Sequence, residues 1–254
     1  MNNMAGTLNI VIPLAGTGIP FQKAGYAFPK PLIEIKGKTM IEVVINNLKP
    51  ECPHRFILIC KKEHYEKYDL YNVIKNATAG QFEIVQIDGS TEGAACTVLT
   101  ALKYIDNDDD LMIANSDQIV DSNINAFIAA GRENDKDGLI MTFRSTHPKW
   151  SYVRTDDNGA VIETAEKKVI SDRATVGIYY FKHGSDFVRG AQAMIEKNIR
   201  TNNEFYVCPV YNELILADKA VGAYDIDSDN MHSLGTPEAL TEFLKKIDEA
   251  KVKI

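Results

Sequence analysis

Short apolar runs alternate with helical stripes along the first half of the chain. Four apolar runs predict strands covered on both faces: 8–14, 55–61, 82–88 and 111–117. Apolar positions at helical spacing predict helices between them: 40–48, 63–77 and 91–105. Strands that alternate with helices indicate an α/β fold, in which a parallel sheet carries helices on both faces.

The second half has more strands. Segments 138–145, 151–166, 174–182 and 221–227 have strand character, and Asp157-Asn158-Gly159 supplies a hairpin turn. Helices are predicted over 185–200 and 210–218, and a last helix begins at Thr236-Pro237. Because no repeat, low-complexity tract or linker interrupts the chain, we predict one domain over 1–254, with halves of roughly 1–120 and 121–254.

Composition narrows the classes of protein. The 254 residues carry a formal net charge of −7 and no basic run, which disfavours nucleic acid as a partner. No apolar run approaches the roughly 20 residues of a membrane span, and the first residues lack a signal core, so no membrane partner is expected. The four cysteines are far apart, as expected of reduced thiols in a cytoplasmic protein.

Candidate chemistry lies where predicted strands end, which is where such sheets bind ligands. Gly16 and Gly18 follow the first strand, and glycines there let the backbone turn N–H groups toward an anion. Lys30 stands between two prolines that stiffen its backbone. Asp117 follows a buried strand and suits Mg²⁺, which prefers one or two carboxylates. Each feature alone is equally compatible with a plain turn, an exposed lysine or a helix cap.

Several stretches together resemble the sugar-nucleotide pyrophosphorylases, which are sugar-1-phosphate nucleotidyltransferases. The signature is PLAGTGIPFQKAGYAFPKPLIEIKGKTMIEVVI (13–45), followed by TEGAACTVL (91–99), ANSDQ (114–118), Trp150-Ser151-Tyr152, Glu166-Lys167, VGIYYF (176–181) and LGTPEAL (234–240). The resemblance implies a three-layer α/β/α Rossmann-like sandwich with a mostly parallel central sheet and a strand-rich acceptor half. It also implies synthesis of an NDP-sugar and pyrophosphate from an NTP and a sugar 1-phosphate with Mg²⁺, for surface polysaccharide precursors.

The resemblance also implies residue roles. The first half would bind nucleotide through Leu14, Ala15, Gly16, Thr17, Gly18, Gly93, Ala94 and Asn115. Lys30 would bind phosphates in catalysis, and Asp117 would hold Mg²⁺. The second half would bind the sugar phosphate, or a similar phosphorylated acceptor, through Ser151, Glu166, Lys167 and Gly177.

Asp88 bears on the choice of base. Relatives specific for uridine or thymidine carry glutamine at this place, and glutamine both donates and accepts, whereas ionised aspartate only accepts. An acceptor suits cytosine or guanine, so the sequence predicts CTP or GTP. The alternative is that Asp88 only ends a strand and misses the base.

Two departures from the family pattern concern activity. Pro20 stands where an arginine would bind the leaving phosphates, so Lys23 is expected to substitute as a catalytic cation. Ser233 stands where relatives have an aspartate as second metal ligand, and serine is a weak ligand for magnesium.

Three functions stay open at this point: an active nucleotidyltransferase, a non-catalytic nucleotide or nucleotide-sugar binding protein, and a glycosyltransferase on a related fold. The last normally needs Asp-x-Asp at the central strand end, where this chain has only Asp117. A homo-oligomer is possible.

Overall fold

A computed structural model describes residues 6–133 and 136–252. Its strands are β1 (Leu8–Pro13), β2 (Glu34–Ile35), β3 (Lys38–Thr39), β4 (His54–Lys61), β5 (Phe82–Ile87), β6 (Leu111–Ala114), β7 (Gln118–Val120), β8 (Gly138–Arg144), β9 (Ser151–Thr155), β10 (Val161–Glu166), β11 (Arg173–Phe181), β12 (Val221–Asp225) and β13 (Met231–Ser233). Its helices are α1 (Ile19–Lys23), α2 (Met40–Leu48), α3 (Lys62–Lys67), α4 (Leu70–Ala77), α5 (Ala94–Leu99), α6 (Leu102–Ile105), α7 (Ile124–Arg132), α8 (Gly184–Glu196), α9 (Val210–Leu216) and α10 (Pro237–Asp248).

One sheet runs through both halves of the chain. Its main order is β10-β9-β11-β6-β1-β4-β5, and β8 joins β11 while β12 joins β8. The strands β6, β1, β4 and β5 pair in parallel, and β11 pairs antiparallel to β6. The long strand β11 therefore connects the parallel first half to the strand-rich second half.

Two apolar layers cover the sheet. On β1, Ile10 and Ile12 belong to one core cluster, whereas Val11 belongs to the other, because successive side chains of a strand point to opposite faces. Helices α2, α4, α7 and α10 bury residues in the first cluster, and α5, α6, α8 and α9 do so in the second. The predicted three-layer α/β class is confirmed.

Local signals explain several element ends. Thr39 and Glu42 form a reciprocal capping box at the start of α2. The Thr236 hydroxyl accepts a hydrogen bond from the Ala239 N–H at 3.3 Å, and Pro237 opens α10, as the sequence predicts. The turn through Asp156 and Gly159 joins β9 to β10 as an antiparallel hairpin, which confirms the predicted turn.

Other parts differ from the prediction. The loop after β1 contains the short helix α1, and α7 was not predicted. The expected helix over 63–77 is broken at Tyr68 and Asp69 into α3 and α4. A small sheet pairs β7 with β13 and sets Ser233 opposite Gln118. In the two described ranges, no helix is long and apolar enough to cross a bilayer.

Candidate active site

A cavity of about 560 Å³ lies beyond the carboxyl ends of β1, β5 and β6. The loops that follow these strands form one side, and the rim of β9, β10 and β11 forms the other. Parallel sheets bind ligands at this edge. Predicted site residues that line the cavity are Ala15, Gly16, Thr17, Gly18, Lys30, Gly93, Ala94, Asn115, Asp117, Ser151, Glu166, Lys167, Gly177 and Ser233.

The glycine loop connects β1 to α1. Gly16 and Thr17 are exposed on the cavity wall, and Gly18 precedes α1, whose second residue is Pro20. The buried ring of Phe21 attaches the short helix to the core. The loop therefore offers backbone groups to a ligand. The charged side chains of the cavity come from other segments of the chain.

Lys30 and Asp117 form an ion pair in the cavity. The Lys30 Nζ lies 2.8 Å from the Asp117 Oδ2, and the two side chains are 17% and 25% exposed. Lys30 is flanked by Pro29 and Pro31 and is the first residue of a 3₁₀ turn, Lys30–Leu32. Asp117 lies just after β6. A positive and a negative group that meet in a partly closed cavity can each be released to a ligand of the opposite charge.

The surroundings of Asp117 suit a magnesium ion that takes most of its ligands from phosphates and water. Ser233 lines the same cavity, and a Cβ at Gly235 would lie 3.0 Å from the Asp117 Oδ2, so the backbone comes close to this carboxylate. Within 6–133 and 136–252, no group of three histidine, cysteine or acidic side chains is arranged to hold a metal ion. The donor set of one carboxylate and one hydroxyl fits Mg²⁺ bound together with a nucleotide.

Side-chain hydrogen bonds hold the rim of the cavity at β9 and β10, where the sequence predicts acceptor binding. The Ser151 hydroxyl donates to the Glu166 carboxylate, and the Lys167 Nζ donates to the Tyr206 hydroxyl at 2.6 Å. Burial raises the pKa of Glu166 above its ordinary value, although Ser151 and Lys167 act in the other direction. Burial opposes the charge of Lys167, but Tyr206, Glu166 and Glu204 outweigh it, and the pKa of Lys167 is raised. The rim therefore places a lysine with a raised pKa beside a carboxyl group whose pKa is above that of an ordinary glutamate.

Gly177 lies where the two sides meet. A Cβ there would lie 2.2 Å from the Asn115 Nδ2 and 2.6 Å from the Gln118 Oε1, and the φ of Gly177 is +92°. Gln118 is 4% exposed, and its Nε2 has no hydrogen-bond partner in the described part of the chain. A buried donor without a partner on a cavity wall is available to a ligand.

The match to a family settles the class of this chain. The profile of the nucleotidyl transferase family matches residues 14–249, which contain both sides of the cavity. The chain belongs to the nucleotidyl transferase family.

Individual relatives are distant. The bifunctional protein GlmU of Lactobacillus gasseri is 24% identical over 241 residues, which cover 91% of this chain and 49% of that protein. A UTP–glucose-1-phosphate uridylyltransferase of Synechocystis is 25% identical over 195 residues, covering 69% of this chain and 49% of that protein. The chain thus spans about half the length of these curated relatives.

A solved structure covers nearly all of both chains. The nucleoside-diphosphate-sugar pyrophosphorylase of Vibrio cholerae superposes with a TM-score of 0.80 at 26% identity, covering 93% of this chain and 99% of that one. The resemblance to sugar-nucleotide pyrophosphorylases expected from the sequence is confirmed.

Three predicted site residues of this family member do not line the cavity: Leu14, Lys23 and Asp88. Leu14 is buried, and its N–H donates to the Ile59 carbonyl oxygen at 2.7 Å. Lys23 is the last residue of α1 and is exposed. Asp88 is exposed just beyond β5, and Ser90 and Thr91 line the cavity in its place.

Sequence reasoning missed other lining residues. Gln118 is the last residue of the ANSDQ stretch, and Lys149 directly precedes Trp150, so stretches that resemble the family already pointed to both residues. Glu204 and Tyr206 lie far from those stretches. They come to the rim because the segment that contains them packs beside α5, where the Ala95 N–H donates to the Phe205 carbonyl oxygen at 3.0 Å.

Proposed function

We propose that this nucleotidyl transferase joins an NTP to a sugar 1-phosphate, or a similar phosphorylated acceptor, and releases pyrophosphate with Mg²⁺. One observation carries the proposal: the glycine loop, the Lys30–Asp117 pair and the Glu166–Lys167 rim line one cavity. A nucleotide and a phosphorylated acceptor both need cations, and this cavity offers cations on both sides. The names of the Synechocystis and Vibrio cholerae proteins are consistent with it.

The chemistry needs positioning more than it needs a nucleophilic side chain. An oxygen of the acceptor phosphate forms a bond to the α-phosphorus, and the bond from that phosphorus to the bridging oxygen of the leaving pyrophosphate breaks. Such reactions depend on held geometry and on charge stabilisation. No acid–base pair or covalent intermediate is required.

Each side of the cavity has its task. Lys30 leaves Asp117 to stabilise the phosphate charge, and Asp117 is then free to hold the metal with Ser233 nearby. Lys167 binds the acceptor phosphate, and Glu166 accepts a hydrogen bond from an acceptor hydroxyl. When bound, Mg²⁺ would neutralise phosphate charge.

The test is a substrate matrix. The protein is incubated with Mg²⁺, each of the four NTPs and a panel of sugar 1-phosphates, and pyrophosphate is measured. Release that needs both substrates supports the proposal. If no pair releases pyrophosphate, the proposal is wrong.

A second candidate is a nucleotide or nucleotide-sugar binding protein without turnover. Pro20 lines the cavity where an arginine was expected, and Lys23 lies outside it. Nucleotide binding by calorimetry without pyrophosphate from any pair would favour this candidate. Consumption of a nucleotide sugar with release of free NDP would indicate a glycosyltransferase instead.

The finer predictions remain proposals. Asp88 lies outside the cavity lining, so its position does not support the prediction that this residue selects CTP or GTP. The role in surface polysaccharide precursors, the cytoplasmic location and a homo-oligomeric state also remain predictions.

A further inference from the structure

The proposed reaction leaves one charge without an obvious partner. Pyrophosphate departs as a polyanion, and the loop position that should meet it holds Pro20, which has no donor. Lys23 does not line the cavity. A further cation on the cavity wall would add to the charge that Lys30 supplies.

Three lysines line the cavity in the described part of the chain: Lys30, Lys149 and Lys167. Lys30 is paired with Asp117 at 2.8 Å, and Lys167 donates to the Tyr206 hydroxyl at 2.6 Å. Within 6–133 and 136–252, Lys149 has no carboxylate or hydroxyl partner, and its Nζ lies over the Trp150 ring, 4.5 Å from the centroid. Among these three lysines, Lys149 alone has an ammonium without a polar side-chain partner in the described part of the chain.

The backbone beneath Lys149 is well held. The Lys149 N–H donates to the His147 Nδ1 at 3.2 Å, and the Tyr152 hydroxyl donates to the His147 carbonyl oxygen at 2.6 Å. The Lys167 N–H donates to the Trp150 carbonyl oxygen at 3.0 Å, which joins this turn to the acceptor rim. A charge mounted on a fixed turn and resting on an aromatic face needs little reorganisation to meet a ligand.

Lys149 also lies toward the metal end of the cavity. Together with Ser233 and Met231 it lines both the main cavity and a smaller one of about 190 Å³ beside it. At this end the chain has neutral Ser233 where an aspartate was expected. A lysine ammonium beside a serine keeps its full attraction for phosphate, which a neighbouring carboxylate would reduce.

We propose that Lys149 binds the leaving pyrophosphate and supplies the charge that position 20 lacks. The inference rests on the proposed function, because it assigns a residue to that reaction. Lys149 is two positions from Ser151 in the sequence and lines the same cavity, so binding of the acceptor phosphate is the competing role.

The kinetic test uses the reverse reaction, in which pyrophosphate is a substrate. Lys149→Ala should raise the KM for pyrophosphate about 10- to 100-fold, as expected for loss of a charged hydrogen bond. The KM for the NDP-sugar should change less than about threefold. Lys149→Arg should keep most of the affinity, and the exposed neighbour Lys168→Ala, which lies outside the cavity lining, should behave as wild type. Lys23→Ala tests the other candidate cation directly.

A second-site rescue separates charge from structure. Pro20→Arg in the Lys149→Ala background should recover at least a tenfold part of the lost pyrophosphate affinity. Both positions are exposed, so thermal denaturation should show an unchanged fold. An unchanged KM for pyrophosphate in Lys149→Ala overturns the inference. It is also overturned if Lys149→Ala raises only the KM for the acceptor in the forward reaction. A rise in the KM for pyrophosphate in Lys23→Ala instead of Lys149→Ala would overturn it as well.

A binding measurement keeps the inference separate from the proposed function. Calorimetric titration with Mg-pyrophosphate requires no turnover. If no substrate pair reacts but wild type binds pyrophosphate and Lys149→Ala does not, the proposed function fails, and Lys149 stands as a pyrophosphate-binding residue only. If wild type reacts and Lys149→Ala binds pyrophosphate equally well, the function stands and the assignment fails. If wild type does not bind pyrophosphate, the assignment fails.

Discussion

The side of the cavity that we propose for the nucleotide and the side that we propose for the acceptor are built differently. On the nucleotide side, Gly16 and Thr17 are exposed, and the charged groups consist of one ion pair between Lys30 and Asp117. On the acceptor side, the Ser151–Glu166 and Lys167–Tyr206 hydrogen bonds are already formed. Strand β10, which ends at Glu166, is also held by side-chain hydrogen bonds.

The hydrogen bonds that hold β10 come from a side chain of α9. The Asn212 side chain accepts from the Thr164 N–H at 2.8 Å and donates to the Thr164 carbonyl oxygen at 2.9 Å, which fixes β10 next to the rim. A site that is already ordered loses less entropy on binding and tolerates fewer alternative ligands. We therefore expect stricter selection of the acceptor than of the nucleotide.

The largest effect should come from removing the metal-side carboxylate. Asp117→Asn should lower Mg²⁺-dependent pyrophosphate release about 10³-fold or more, because one preorganised charge at a phosphoryl site has effects of this order. The matched control is Asp121→Asn, an exposed aspartate at the end of β7 that does not line the cavity. Turnover in Asp117→Asn within a few fold of wild type would remove this residue from the mechanism.

The second-largest effect should come from Lys30→Met, which we expect to lower kcat about 10²- to 10³-fold. Because Lys30 and Asp117 are paired, the double variant should lose less than the sum of the two single effects. Lys38→Met, an exposed lysine outside the cavity lining, serves as control. Strict additivity in steady-state kinetics would show that the pair does not act as a unit.

The junction of the two sides can be broken at Gly177. Gly177→Ala adds a methyl group against Asn115 and Gln118 at a positive φ and should cost about 1–3 kcal/mol of stability. Gly159→Ala has a φ of +84° and nothing within 4 Å, so it isolates the backbone strain, which we expect to cost about 1 kcal/mol. Thermal denaturation and the KM of both substrates measure the difference. If the two variants lose the same stability and keep the same KM values, the close packing of Gly177 against Asn115 and Gln118 does not affect function.

The sequence predicts the nucleotide side better than the acceptor side. The parallel strands, the glycine loop, Lys30 and Asp117 follow one another closely, and local pattern reveals them. The short helix α1 was not predicted, because five residues show too little periodicity. Lys23, the last residue of this helix, does not line the cavity.

The acceptor rim depends on contacts between distant segments. Tyr206 meets Lys167 across 39 positions of the chain, and Asn212 meets Thr164 across 48. No spacing rule links such residues, since the strand order of the sheet brings them together. The motif residues Ser151, Glu166 and Lys167 could therefore be predicted, whereas the distant partners Tyr206 and Asn212 could not.

A smaller effect should appear as a pH dependence of acceptor use. Because the pKa of Glu166 is raised, this group becomes neutral at a higher pH than an ordinary glutamate and then loses part of its capacity to accept hydrogen bonds. As pH falls, kcat/KM for the acceptor should drop about tenfold, with a midpoint above the ordinary glutamate value. Glu166→Gln should flatten this limb, while Glu163→Gln, on the same strand and paired with Arg154, should keep it. A midpoint at or below the ordinary value would contradict the burial argument.

The smallest expected effect concerns the base. If Asp88 selects CTP or GTP, it must act from an exposed position beyond the cavity lining, where water weakens each hydrogen bond. Asp88→Asn should then reduce the preference over UTP and dTTP by about tenfold or less, since asparagine can also donate. Competition between nucleotides at equal concentration measures this ratio, with the exposed Asp106→Asn as control. A wild-type enzyme that prefers UTP or dTTP would reject the assignment, and the walls at Ser90 and Thr91 would then be the place to look for base selection.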